Sequence, residues 1–141
     1  MTVTPIDLFA SFIHLDRSGR ARAEQPAFDT ERDGWQLMAF HVETGADLHA
    51  DYWEVHPEAD EVVACLTGAI RLYLRPEQPG GPAGKEEEER EQEREEEIKL
   101  VGGTAVIVPR GRWHRMELDA PGDILSLTLP RGSRLEKRTE A

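Results

Sequence analysis

The chain contains a single cysteine, Cys65, among its 141 residues. No internal disulfide can staple it, so it must fold on a hydrophobic core, and this cysteine usage suits a reducing, cytoplasmic setting. No apolar run approaches the roughly 20 residues of a membrane span. The opening Met1-Thr2-Val3-Thr4-Pro5 has neither the basic nor the apolar stretch of a secretion signal. Positive charge is also scarce. Seventeen Lys and Arg face 28 Asp and Glu, a formal charge of -11, and such a surface repels nucleic acid and anionic membrane. Neither partner is expected. What remains is a polar chain of 15.9 kDa, long enough for one core-bearing domain over 1–141.

Much of the negative charge is local. Lys85 to Glu97 contributes -6 of the total, and it follows the glycine- and proline-rich Pro76 to Gly84. The pair Glu86 and Arg90 is helix-compatible, but no apolar stripe gives a helix anything to pack against. Residues 76–97 therefore read as a solvated acidic insertion, with an acidic docking arm as the alternative. Outside it the pattern is of short alternating strands at Trp35–Val42, Asp51–His56, Glu61–Leu66, Ala69–Leu74, Ile98–Val101, Ala105–Val108, His114–Leu118 and Ile124–Leu129. Gly, Pro and Asp turns bound them, which predicts an all-β antiparallel sandwich or barrel with a core over about 35–130. Ile6–Leu15 is ambiguous between helix and strand, and 131–141 reads as a fraying tail.

Two stretches carry the chemistry. In the first, Glu54-Val55-His56 is followed by Glu61 and then Gly68. In the second, Gly103-Thr104-Ala105-Val106-Ile107-Val108-Pro109-Arg110-Gly111-Arg112-Trp113-His114 runs from a glycine turn through a strand and a second turn to a histidine. The second resembles the second motif of the cupin superfamily, G-x5-P-x-G-x2-H, at every position. The first resembles that family's H-x-H-x3,4-E-x6-G, with Glu54 in place of the first histidine. Leu118 stands where the family pattern goes on to an asparagine. The resemblance implies a jelly-roll β-barrel of the small single-domain, conserved-barrel type, with a divalent metal (Fe, Mn, Ni or Zn) held inside it.

Carried over by position, His56, Glu61 and His114 are the metal-ligand candidates. Glu54 is either a fourth ligand or a base beside the metal. Strand parity places Glu54 and His56 on one face, together with Tyr52. Val63 and Cys65 share the face of Glu61, and Met116 and Leu118 that of His114, so these five are the expected pocket wall. Trp53, Trp113, Arg112 and Arg115 point the other way, the tryptophans toward packing or a dimer interface. His14, His41 and His49 read as surface or strand-end residues, His49 on the rim.

Turn geometry alone accounts for Gly68, Gly103, Pro109 and Gly111, so a barrel that keeps the turns and binds no metal is the plainer alternative. Against it stands crowding: two carboxylates and two imidazoles in a low-dielectric interior are costly without a cation. The resemblance implies a metal-dependent dioxygenase or isomerase acting on a small organic molecule. The alternative is a metal-free small-molecule-binding or sensing barrel. Open sheet edges lead us to expect a homodimer.

Overall fold

A computed structural model describes residues 3–76 and 95–138. Its strands are β1 (Phe12–Leu15), β2 (Ala21–Glu24), β3 (Trp35–Val42), β4 (Tyr52–Val55), β5 (Glu61–Cys65), β6 (Ala69–Leu74), β7 (Glu96–Val101), β8 (Thr104–Val108), β9 (His114–Ala120), β10 (Gly122–Thr128) and β11 (Arg134–Lys137). One 3-10 turn, Gly45–Leu48, joins β3 to β4. No helix among the described residues is long and apolar enough to cross a membrane.

The strands form two sheets, ordered β2-β1-β3-β10-β5-β8 and β11-β4-β9-β6-β7. From β3 to β10 the pairing is nested: β6 with β7, β5 with β8, β4 with β9, β3 with β10, all antiparallel. One long hairpin has thus been rolled over on itself, which makes the fold a jelly-roll β-barrel. Alternation explains why these segments are strands. Every second residue of β5, β6 and β10 is buried, and the inward set includes Val63, Cys65, Ile70, Leu72, Leu74 and Ile124. Burying a side chain such as Leu72, which is 0% exposed, stabilises the fold by about 1.5–3 kcal/mol.

One end of the barrel is closed by a tight crossing of turns. Gly68 has φ +85°, and a Cβ there would meet the Pro121 carbonyl oxygen at 2.5 Å. A Cβ on Gly122 would lie 2.0 Å from the Thr67 carbonyl oxygen. Only glycine fits either position.

The structure revises the expected boundaries. β7 starts at Glu96, and Glu96 and Glu97 pair with Leu74 and Tyr73, so the insertion does not extend over them; its stretch 77–94 lies outside the described residues. The tail contains β11, which pairs with β4 although all four of its side chains are exposed. Backbone pairing at a sheet edge needs no apolar side chain, so hydropathy gave no sign of it. β2 is hidden for the same reason, and of Ile6–Leu15 the last four residues, Phe12–Leu15, form the strand β1. The sheets therefore extend beyond 35–130 at both ends. Trp53 does lie on the outer face but is only 6% exposed, because the guanidiniums of Arg75 and Arg115 stack over its ring. His14, expected at the surface, is buried.

Candidate metal centre

Four elements meet inside the barrel. β4 presents Glu54, and the chain leaving β4 presents His56. Glu61 is the first residue of β5 and His114 the first of β9. Glu54 and His114 are direct cross-strand partners, so the antiparallel register of β4 and β9 brings the two motifs together across 60 residues of sequence.

The polar atoms converge closely. Glu61 Oε1 lies 3.1 Å from His114 Nε2 and 3.3 Å from His56 Nε2. Glu54 is slightly farther, at 3.7 Å from His56 Nε2 and 3.8 Å from His114 Nε2. The imidazole centroids are 5.4 Å apart. Burial separates the two carboxylates: the Glu61 side chain is 8% exposed and that of Glu54 31%.

Around this group the two Nδ1 atoms and the second Glu61 oxygen have fixed partners. Thr128 Oγ1 donates to Glu61 Oε2 at 2.7 Å. His56 Nδ1 shares a 2.7 Å hydrogen bond with Ser133 Oγ. His114 Nδ1 donates to the Arg112 carbonyl at 3.4 Å, which favours the tautomer whose Nε2 carries a lone pair. What is left over is His56 Nε2, His114 Nε2 and Glu61 Oε1. All three are buried, and despite their short separations none is aligned for a hydrogen bond with a described residue. Each such atom costs about 1–3 kcal/mol if left so.

A divalent cation would satisfy all three. Two ligands about 2.1 Å from one ion stand about 3.0–3.4 Å apart at octahedral or tetrahedral angles, and the Glu61–imidazole distances fall in that interval. The donor atoms of Glu54, His56 and His114 also lie within 4.8 Å of one another and could hold an ion. Two imidazoles with one or two carboxylates suit first-row divalent metals.

The electrostatics without a cation show the same tension. Burial pushes the Glu61 carboxyl up, but the neighbouring imidazoles, His114 foremost, outweigh it and hold the group well below the usual carboxylate range. Burial pulls His114 down, and Glu61 followed by Glu54 reverses this, so the ring is raised. Glu54 is raised by burial, with the Glu61 charge adding to it against the pull of His56.

The group opens into a cavity of about 770 Å³. Val63 and Met116 line it, as parity predicts, while Tyr52, Cys65 and Leu118 do not. Tyr52 is exposed, and Cys65 and Leu118 pack in or against the core. Parity assigns a face but not a height along the barrel, and Cys65 adjoins the end closed by Gly68. His49 is on the cavity wall, and its backbone, at φ 52°, is the one positive φ outside glycine among the described residues.

Sequence reasoning missed Thr128, Ser133 and the apolar wall of Phe12, Phe28, Met38 and Phe40. Thr128 did leave a trace. Gly122, Ile124, Ser126 and Thr128 form the buried face of β10, and a hydroxyl at an inward position calls for a buried partner. Ser133 left none, because only the turn before β11 carries it to His56.

The nested sheet order, with both motifs meeting inside the barrel, defines a jelly-roll barrel with a candidate imidazole–carboxylate metal centre. Among solved structures the chain is similar to a cupin-2 domain containing protein from Shewanella frigidimarina, at 18% identity and TM-score 0.46, covering 74% of this chain and 79% of that one. It is also similar to BH2720 from Bacillus halodurans, at 12% identity and TM-score 0.49, covering 95% and 77%. A third is HppE, solved with cobalt(II) and in complex with substrate, at 14% identity and TM-score 0.47. There the match covers 67% of this chain and 44% of HppE, so it spans less than half of that protein. At these identities the likenesses add nothing to what the sheet order establishes. No family model matches the chain, and no curated protein does.

Proposed function

We propose that this barrel binds a divalent metal ion through His56, His114 and Glu61 and uses it to act on a small organic molecule in the adjoining cavity. The observation that carries the reading is the convergence of His56 Nε2, His114 Nε2 and Glu61 Oε1, three buried atoms whose near polar neighbours among the described residues are one another and Glu54 and which have no aligned hydrogen bond there. When bound, the cation supplies Lewis acidity and positions open to substrate oxygen, which suits oxygenation or isomerisation. The chain's own residues divide the remaining work. Thr128 and Ser133 orient Glu61 and His56. Glu54 lines the cavity and is the more exposed carboxylate, so it is the group placed to take a proton from a substrate carbon or hydroxyl.

The test is elemental analysis of the untagged protein purified without chelator, beside His114→Ala and Glu54→Gln. Near-stoichiometric metal that is lost in His114→Ala and kept in Glu54→Gln is the expected result. Absence of metal even after anaerobic reconstitution overturns the reading and leaves a metal-free binding barrel.

A further inference from the structure

Building on that reading, we infer that the cavity's ligand is an uncharged molecule with a bulky apolar body, ring-bearing or branched, and one oxygen- or nitrogen-bearing end. Size is the first reason. A space of about 770 Å³ belongs with pockets that enclose drug-sized ligands, and a two- or three-carbon acid would leave most of it unfilled.

The wall is the second reason. Phe12, Phe28, Met38, Phe40 and Leu135 line the cavity, with aromatic faces and an adaptable thioether suited to an apolar body. Several of its polar groups are already engaged within the protein. Thr128 and Ser133 serve Glu61 and His56, and the Asp47 carboxylate accepts from the Glu43 and Thr44 amides. The polar contact left for a ligand is the carboxylate–imidazole group, with His49, Thr30 and Ser126 elsewhere on the wall.

Charge decides the rest. Glu54 and Glu61 face the cavity, and among the described residues Arg134 is the one Arg or Lys on its wall. Its guanidinium is directed elsewhere. On β11 it is Leu135 that stands opposite Glu54, whereas Arg134 stands opposite Val55, and its guanidinium stacks over the Trp113 ring at 5.4 Å. A carboxylate or phosphate ligand would meet Asp47, Glu54 and Glu61 with no guanidinium or ammonium of the described residues directed at it. A dication with Glu54 and Glu61 is already neutral in sum, so the site selects against anions.

The experiment is calorimetric titration of the full chain with the matched probes 2-naphthol and 2-naphthoate, and with oxalate as a small dianion. It is done on zinc-loaded and on chelator-stripped protein. We expect 2-naphthol to bind at least tenfold more tightly than 2-naphthoate in both forms, and oxalate not to compete with it. Met38→Trp, which fills the cavity, should weaken 2-naphthol at least tenfold while zinc stoichiometry stays at the wild-type value. Tighter binding of 2-naphthoate, binding of oxalate in place of 2-naphthol, or no binding of 2-naphthol to either form overturns the inference. Failure to take up zinc instead overturns the metal reading, and the stripped protein then still decides the ligand's charge.

Discussion

Both faces of the β11-β4-β9-β6-β7 sheet carry ionisable groups, arranged to opposite effect. On the outer face Arg71 pairs with Asp119, Arg75 with Glu136, and Arg115 with Glu95 and Glu117. Their guanidiniums lie over the rings of Trp53, Tyr73 and Trp113. On the inner face Glu54, His56 and His114 meet Glu61, which β5 of the opposite sheet brings to them, and among the described residues both imidazole Nε2 atoms and Glu61 Oε1 lack an aligned hydrogen bond. Charge density therefore does not mark the functional face, and neither does a single unpaired atom, since Arg115 Nε is one on the outer face; the convergence of three such atoms does. The outer groups answer one another, a stacked cladding that seals Trp53 from water. The inner groups are complete only with something added.

Four changes can break or sharpen this contrast. The largest expected effect is on the outer face. Trp53→Ala should destabilise the fold by about 3–5 kcal/mol, as for other buried aromatics, read from urea denaturation, with metal stoichiometry per folded molecule unchanged. A loss of metal at equal folded fraction would show that the faces are not independent.

Next comes Glu61→Gln, which removes an inner carboxylate without changing its shape. It should weaken metal binding by more than about 100-fold, exceeding the effect of losing an orienting partner, as measured by competition with a chromophoric chelator. An affinity within threefold of wild type would assign the ion to Glu54, His56 and His114 instead. Thr128→Val tests the support behind Glu61 and should cost about 10–100-fold in affinity. Equal affinity would reduce that hydroxyl to core packing.

The smallest effect concerns an exposed ion cluster belonging to neither face. His41 contacts Glu43 and Asp123 at 2.7 and 2.9 Å, and these carboxylates, Glu43 first, raise its pKa. The folded form thus binds the proton more tightly than the unfolded chain. The resulting stabilisation is present in full below the unfolded value of about 6.5 and disappears as pH rises through the higher folded value. Urea midpoints between pH 5.5 and 8.5 should fall with rising pH more in wild type than in His41→Asn. Parallel profiles would show that solvent screens the cluster completely.

How much of this was legible beforehand depends on the range of the interaction. Alternation is local, and β3 and β6 appear in the structure with the boundaries that alternation predicts, Trp35–Val42 and Ala69–Leu74. The turn glycines and the histidine and glutamate spacings are local too. Parity assigned Glu54 to the inner face and Trp53 to the outer from the period of two alone.

What tertiary structure decided is everything that depends on a partner distant in sequence. β2 and β11 bury little, so only backbone pairing to a neighbouring strand defines them. Trp53 became buried because Arg75, 22 positions away, folds over it. Ser133 reached His56 across 77 positions, and Thr128 reached Glu61 across 67. By itself the sequence determined the alternating strands, their inward faces and the residue types available for a metal. Closure of the barrel determined which of their atoms meet, since contact between residues so far apart is set by sheet register and not by any pattern along the chain.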